Sequence, residues 1–203
     1  MAMASGKQEK ILALAGRQGG LVATRDVENL RLPRTYLYRL CEKGMLTKVG
    51  HGLYSVPEPA ATEHLALVEV SKRVPKAVIC LISALSFHGI TTQIPHEVWI
   101  AVQRGSWRPD FDYPPLNVTH VSGPAFSFGV ETHHLSGVAV NVYNPAKTVV
   151  DCFKFRNKVG LDVVIEALRE VWRTRKATMD ELVRAAEVCR VSRVIRPYLE
   201  AIT

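Results

Sequence analysis

Glycine and proline interrupt the first 57 residues so often that no long element can form there. Gly19-Gly20, Pro33, Gly44, the Gly50-His51-Gly52 triplet and Val56-Pro57 cut the segment into short pieces, and each breaker marks where one element stops and the next begins. Lys7–Arg17 carries Ile11, Leu14 and Ala15 at i, i+3 and i+4, a single apolar stripe that predicts a helix ending at the glycine pair. Leu21-Val22 is a short extended piece. Thr24 is expected to cap a second short helix that buries Val27 and Leu30, with Asp26 in its first turn, where the helix dipole favours an anion. Pro33 suits the first turn of a third helix that runs to about Lys43. Its inner face is Leu37, Leu40 and Cys41. Thr35, Tyr38, Arg39 and Glu42 point the other way, with Arg34, Tyr36 and Lys43 on the flanks. Leu46–Val49 and Leu53–Val56 then form two short strands around a glycine-flanked turn, a β-hairpin.

Helix, short helix, tight turn, helix and hairpin, in that order, outline a winged helix-turn-helix. The third helix can enter the major groove of DNA while the hairpin lies on the neighbouring backbone. Some modules of this outline serve protein contacts instead, and charge favours nucleic acid. Residues 1–57 hold nine Lys/Arg against four Asp/Glu, a net of +5 out of the +7 carried by all 203 residues. Positive charge concentrated in so small a part of the chain suits a polyanion. The residues expected on DNA are Arg34, Thr35, Tyr36, Tyr38, Arg39 and Lys43 on the helix, with Lys48 and His51 on the wing. Arginine can pair bidentately with guanine, Thr and Tyr can bond base edges or phosphates, and lysine can neutralise a phosphate.

Val56-Pro57-Glu58-Pro59-Ala60 reads as a linker held extended by its prolines, so the expected domains are 1–57 and 58–203. In the second, Glu63–Arg73 predicts a helix, and Val78–Ala84 fits strand or helix equally. His96–Val102, Leu116–Val121 and Val138–Tyr143 predict strands, the last after a turn at Ser136-Gly137. From Asn144 onward the pattern is helical: Asn144-Pro145 opens a helix with Val149, Val150 and Phe153 inward, and Leu161–Val171 carries one apolar side. Thr178 with Glu181 forms a capping box, and Ser192 opens a final helix. The fold class is therefore α+β, a winged helix-turn-helix followed by a larger mixed α/β domain with a helical C-terminus. No apolar run approaches the ~18–20 residues a membrane helix needs. Met1–Gly6 has no apolar core of signal-peptide length, so a cytoplasmic location is expected. Cys41, Cys80, Cys152 and Cys189 form no CxxC pair and are expected to be buried thiols rather than disulfides or metal ligands.

Three stretches resemble the AbiEi-type antitoxins of bacterial type IV toxin–antitoxin (abortive infection) systems. They are the winged module ending in Leu40-Cys41-Glu42-Lys43-Gly44-Met45-Leu46 and Gly50-His51-Gly52-Leu53-Tyr54, then Ser83-Ala84-Leu85-Ser86-Phe87-His88-Gly89-Ile90, then Pro145-Ala146-Lys147-Thr148-Val149-Val150-Asp151. The resemblance implies a winged helix that represses its own operon by binding double-stranded operator DNA. It also implies a C-terminal domain that counters a nucleotidyltransferase-like toxin, directly or indirectly. Separately from the resemblance, the sequence contains no GxGxxG, P-loop, HExxH or GxSxG pattern, so no cofactor, no metal and no enzymatic activity are expected. Lys147 and Asp151, four apart on a helix, are expected to bond each other across the turn.

His133-His134 cannot chelate one ion from a strand, because adjacent side chains point to opposite faces. His88 is expected to be a hydrogen-bonded structural residue. Gly105-Ser106 with Asp110 and Asp112 suggests the phosphate turn and metal carboxylates of a nucleotidyltransferase, an alternative function. Only Trp107, Arg108 and Pro109 separate the turn from the first carboxylate, too few for the intervening helical turn. No Glu-x-Lys pair of a restriction-type nuclease follows residue 58. A second alternative is a winged-helix regulator whose other domain senses a ligand. Finally, residues 169–196 hold eight basic side chains against four acids, and Arg184, Arg190 and Arg193 are the candidate face for an acidic partner.

Overall fold

The computed structural model describes residues 6–59, 64–109 and 111–202. They form two compact units, one comprising Met1–Pro75 with His133–Val140 and the other Lys76–Thr132 with Asn141–Thr203. Helices and two sheets make an α+β architecture, as expected.

The first unit contains α1 (Gly6–Arg17), β1 (Leu21–Ala23), α2 (Thr24–Asn29), α3 (Thr35–Glu42), β2 (Thr47–Gly50), β3 (Leu53–Ser55) and α4 (Leu65–Arg73). Ile11, Ala15, Val22, Val27, Leu37, Leu40, Leu46 and Tyr54 form its core. The extended piece after the glycine pair is a full strand: β1 pairs antiparallel with β3, Val22 opposite Tyr54, giving the order β1-β3-β2. A two-stranded hairpin is marginal alone, and this third strand anchors the wing.

Several details differ from the expectation. Ala23, not Thr24, holds the N-cap position of α2. The Asp26 carboxylate accepts the Ala23 N–H at 2.8 Å, while the Thr24 hydroxyl donates to the Gly52 carbonyl at 3.2 Å. A tertiary hydrogen bond to the hairpin turn therefore takes the hydroxyl from its local role. Leu30 is 41% exposed, because α2 ends at Asn29 and the chain reverses through Arg31 at φ 56°. Pro33 lies ahead of α3, whose N-cap is Arg34. Cys41 is half-buried rather than part of the core.

The second unit begins with β4 (Val78–Ile79) and α5 (Leu81–Phe87), so the ambiguous apolar run is strand first and helix second. Then follow β5 (Val98–Gln103), β6 (Leu116–Val121) and the short α6 (Pro124–Ser127), and along the chain β7 (Val130–Leu135) and β8 (Val138–Tyr143), of which His133–Val140 is counted with the first unit. The strand order is β6-β5-β4-β8-β7. β5 runs parallel to β6 and antiparallel to β4, and β4 pairs parallel with β8. β7 was not foreseen, since Val130-Glu131-Thr132-His133-His134-Leu135 shows little apolar alternation. It is an edge strand whose six residues are all exposed or half-buried. Ser136 and Gly137 both have positive φ, 46° and 69°, as a type I′ hairpin turn requires.

Five helices complete this unit: α7 (Pro145–Lys154), α8 (Arg156–Val159), α9 (Leu161–Arg173), α10 (Met179–Cys189) and α11 (Ser192–Glu200). Val149, Val150 and Phe153 face inward as expected, but α7 is buried on every side. All eight residues from Ala146 to Phe153 are buried, packed against α5, α9 and α10. Its polar groups must then find partners inside the core. Asn144 caps it through the Lys147 N–H at 2.9 Å, and the Thr148 hydroxyl donates to the Tyr143 carbonyl at 3.0 Å. Lys147, fully buried, forms an ion pair with Asp151 and sits 4.1 Å from the centroid of the Tyr143 ring. The other Asp151 oxygen accepts from the Cys189 thiol at 3.4 Å. His88 Nε2 lies 2.7 Å from the Tyr143 carbonyl, which can only accept, so that nitrogen carries the proton. Burial pushes the Cys80 and Cys152 thiols well up, and Cys189 to about 11, with the Asp151 charge adding to each. All four cysteines are free.

Two predictions follow from these contacts. Asp151→Ala strands the Lys147 ammonium in the core and is expected to cost about 3–5 kcal/mol. Lys147→Met with Asp151→Leu removes both charges and should recover most of that loss in urea denaturation. The second concerns α10, where the Thr178 N–H first, and its hydroxyl next, hold the Glu181 carboxyl below its ordinary range. A depressed folded pKa contributes stability above the unfolded value of about 4.3, and that stability is lost as pH falls through the folded pKa. Glu181→Gln should therefore cost about 0.3–1 kcal/mol at pH 7, and its melting curve should converge on wild type in acid.

Candidate nucleic-acid interface

α3 is amphipathic because Leu37 and Leu40, three apart, are drawn into the core with Ile11 and Ala15 of α1. That burial turns Thr35, Tyr38, Arg39 and Glu42 outward. All four are exposed, Tyr38 by 57%. β2 lies beside this face with Thr47, Lys48 and Val49 exposed, and His51 is exposed at the hairpin turn. The Tyr54 hydroxyl, from β3, meets that of Tyr38. Burial first, and the neighbouring Tyr38 and Cys41 next, push the Tyr54 phenol up. Burial and Glu42 also raise the Cys41 thiol, against the nearby Lys48 ammonium. Tyr38 and Cys41 of α3 thus lie near Tyr54 and Lys48 at the root of the wing.

Of the eight residues expected on DNA, seven are exposed and Tyr36 is half-buried against the core. Tyr36 instead underlies Arg39, whose guanidinium carbon is 5.7 Å from its ring centroid. Arg34, 64% exposed, pairs with Glu28, a surface contact weak enough to exchange for a phosphate or base. Lys43 reaches back to Gln8 of α1 at 3.0 Å.

α4 supplies contacts that the linear reading assigned to nothing. Lys72, its side chain 1% exposed, donates to Gln18 at 2.6 Å and to Asp26 at 2.5 Å. Burial lowers the Lys72 pKa, and Asp26 works against that shift. Asp26 therefore closes the N-terminus of α2 and neutralises a buried ammonium with the same oxygen. Arg25 donates to the Ser71 carbonyl at 3.4 Å, and Arg73 reaches the wing. The partners lie far apart in sequence, 46 residues for Asp26 and Lys72, so no local pattern announces them.

In the second unit, Arg184, Arg190 and Arg193 are all exposed. The Arg184 guanidinium lies 5.9 Å from the Phe128 ring centroid, and Arg190 is the left-handed C-cap of α10. α10 and α11 flank a groove of about 350 Å³, lined by Met179, Val183, Ala186, Ile195 and Leu199 with the Arg196–Glu200 pair. Asp112 lies in the irregular 104–115 connection, and Asp110 lies outside the described residues. Among the described residues no group of three or more His, Cys, Asp or Glu side chains could hold a metal ion, and no helix is long and apolar enough to cross a membrane.

Residues 9–57 match the family model described as transcriptional regulator, AbiEi antitoxin. The match bears out the resemblance to AbiEi-type antitoxins over the winged module. The whole chain is similar in fold to the crystal structure of the RV2827C protein from Mycobacterium tuberculosis. The TM-score is 0.62 at 12% identity, with 100% of this chain and 82% of that chain covered. No curated protein matches.

Proposed function

We propose that the chain is a transcriptional regulator that binds double-stranded operator DNA through its winged helix and acts as an antitoxin. The observation that carries this is the exposed polar face of α3 together with the exposed β2 strand and turn of the wing, within the segment that matches the AbiEi regulator family. α3 serves as the recognition helix. Arg34 and Arg39 read base edges, Thr35 and Tyr38 bond bases or phosphates, and Tyr36 supports Arg39 from below. Lys43, Lys48 and His51 contact the backbone. Repression follows from occupancy of the operator.

Neutralisation of a nucleotidyltransferase-like toxin is assigned to residues 58–203. The winged module uses its apolar face for its own core and its polar face for DNA, which leaves little surface for a second macromolecule. Arg184, Arg190 and Arg193 offer exposed positive charge. A toxin of that class needs acidic metal ligands near an open cleft, and opposite charge steers association.

Binding of the full chain to its own promoter, measured across a salt series, tests the first part. Neutralisation of about 4–6 phosphates gives a slope of log affinity against log salt near −4 to −5. Arg34→Ala or Arg39→Ala should cost about 1–3 kcal/mol on the cognate site and relax base preference at one position, whereas Lys48→Ala should weaken all sequences alike. Binding that ignores salt would refute the assignment.

Rescue of growth from the cognate toxin tests the second part. Reversal of Arg184, Arg190 and Arg193 to glutamate should weaken rescue and leave promoter binding unchanged. Full rescue by the triple variant would remove these residues from the partner face.

A further inference from the structure

The wing contains an irregularity with a specific support. β2 pairs Lys48 with Tyr54 and Gly50 with Leu53, so Val49 is the extra residue of a β-bulge. A bulge leaves its extra residue outside the ladder and weakens the local pairing. The Val49 carbonyl accepts from the Arg73 guanidinium at 2.8 Å. Arg73 is the last residue of α4, beyond the linker and beyond the family match at residue 57. Its guanidinium also pairs with Glu69 one turn earlier at 2.5 Å, and both side chains are only 9% exposed. It lies so close to the wing that a Cβ on Gly50 would stand 2.9 Å from the guanidinium carbon. α4 is itself fixed by Lys72 on Gln18 and Asp26. The chain of support runs from a buried ion pair, through one helix, to the bulged residue between Lys48 and Gly50.

We propose that Arg73 is a positioning residue for DNA contact by the wing. Its guanidinium holds the Val49–Gly50 backbone and so sets where Lys48 and His51 meet the phosphates. The inference rests on the proposal that the wing contacts DNA, and it extends the functional unit past the winged module into α4. Arginine suits the position because the two N–H bonds of one terminal guanidinium nitrogen, held in a fixed plane, serve the Glu69 carboxylate and the Val49 carbonyl together. Gly50 suits its position because any side chain there meets the guanidinium.

Two measurements on the full chain test this, one of them free of DNA. In hydrogen exchange, Arg73→Ala should speed exchange of amides 47–52 and leave α1 and α3 protected. Gly50→Ala should do the same, since its methyl group displaces the flexible end of Arg73, and it keeps the test open if Arg73→Ala folds poorly. On the promoter, each variant should bind more weakly, with a salt slope shallower by about 1, the contribution of one phosphate. Base preference at the positions read by Arg34 and Arg39 should not change. Adding Lys48→Ala to Arg73→Ala should reduce the slope no further, because both changes remove the same contact. Additive losses would place Arg73 on DNA itself and overturn the positioning role. Unchanged exchange of the wing amides would overturn it as well. Faster exchange in the variants combined with a wild-type chain that ignores its promoter would uphold the support of the wing and refute the DNA-binding function instead.

Discussion

A buried lysine must bring its counter-charge with it, and each unit of this protein is organised around one such pair. Removing an ammonium from water costs several kcal/mol unless a carboxylate and further hydrogen bonds replace the solvent. In the first unit Lys72 meets Asp26 and Gln18. In the second Lys147 meets Asp151, with the Tyr143 ring beside it and the Cys189 thiol on the far carboxylate oxygen. Lys147 holds a helix that is buried on all sides. Lys72 fastens α4 to the start of α2, where Asp26 also accepts the Ala23 N–H.

The consequences for function run outward from the Lys72 pair. With α4 fixed, Arg73 is delivered to the bulge of the wing. With α2 fixed, the Thr24 hydroxyl reaches the hairpin turn at Gly52. Two short strands that would be marginal alone are thereby gripped at the bulge by an arginine, at the turn by a threonine and along one edge by β1. These supports come from residues outside the exposed face of α3, whose Thr35, Tyr38 and Arg39 stay at the surface.

Charge is arranged accordingly. Three acids of the first unit are engaged at defined points: half-buried Asp26 on Lys72, Glu28 on Arg34 and Glu69 on Arg73. The basic residues of α3 and the wing stay at the surface. Net charge alone states that a chain is basic.

The sequence by itself determined the parts that depend on neighbours along the chain. Glycine and proline set the ends of α1, α3 and the wing. Apolar spacing placed Leu37 and Leu40 inward and so Tyr38 and Arg39 outward. The i, i+4 spacing of Lys147 and Asp151 foretold their bond, and Thr178 with Glu181 foretold the capping box. Only the tertiary structure decided what rests on distant partners. Leu21–Ala23 became a sheet strand because β3 lay beside it, and β7 formed along β8 despite a polar sequence. Thr24 gave up its cap to bond Gly52, and Lys72 and Arg73 gained roles through residues 46 and 24 positions away. Local patterns report hydrogen bonds and burial within a few turns of chain. A buried charge is satisfied by whatever the fold brings against it, and that partner has no signature in the sequence around either residue.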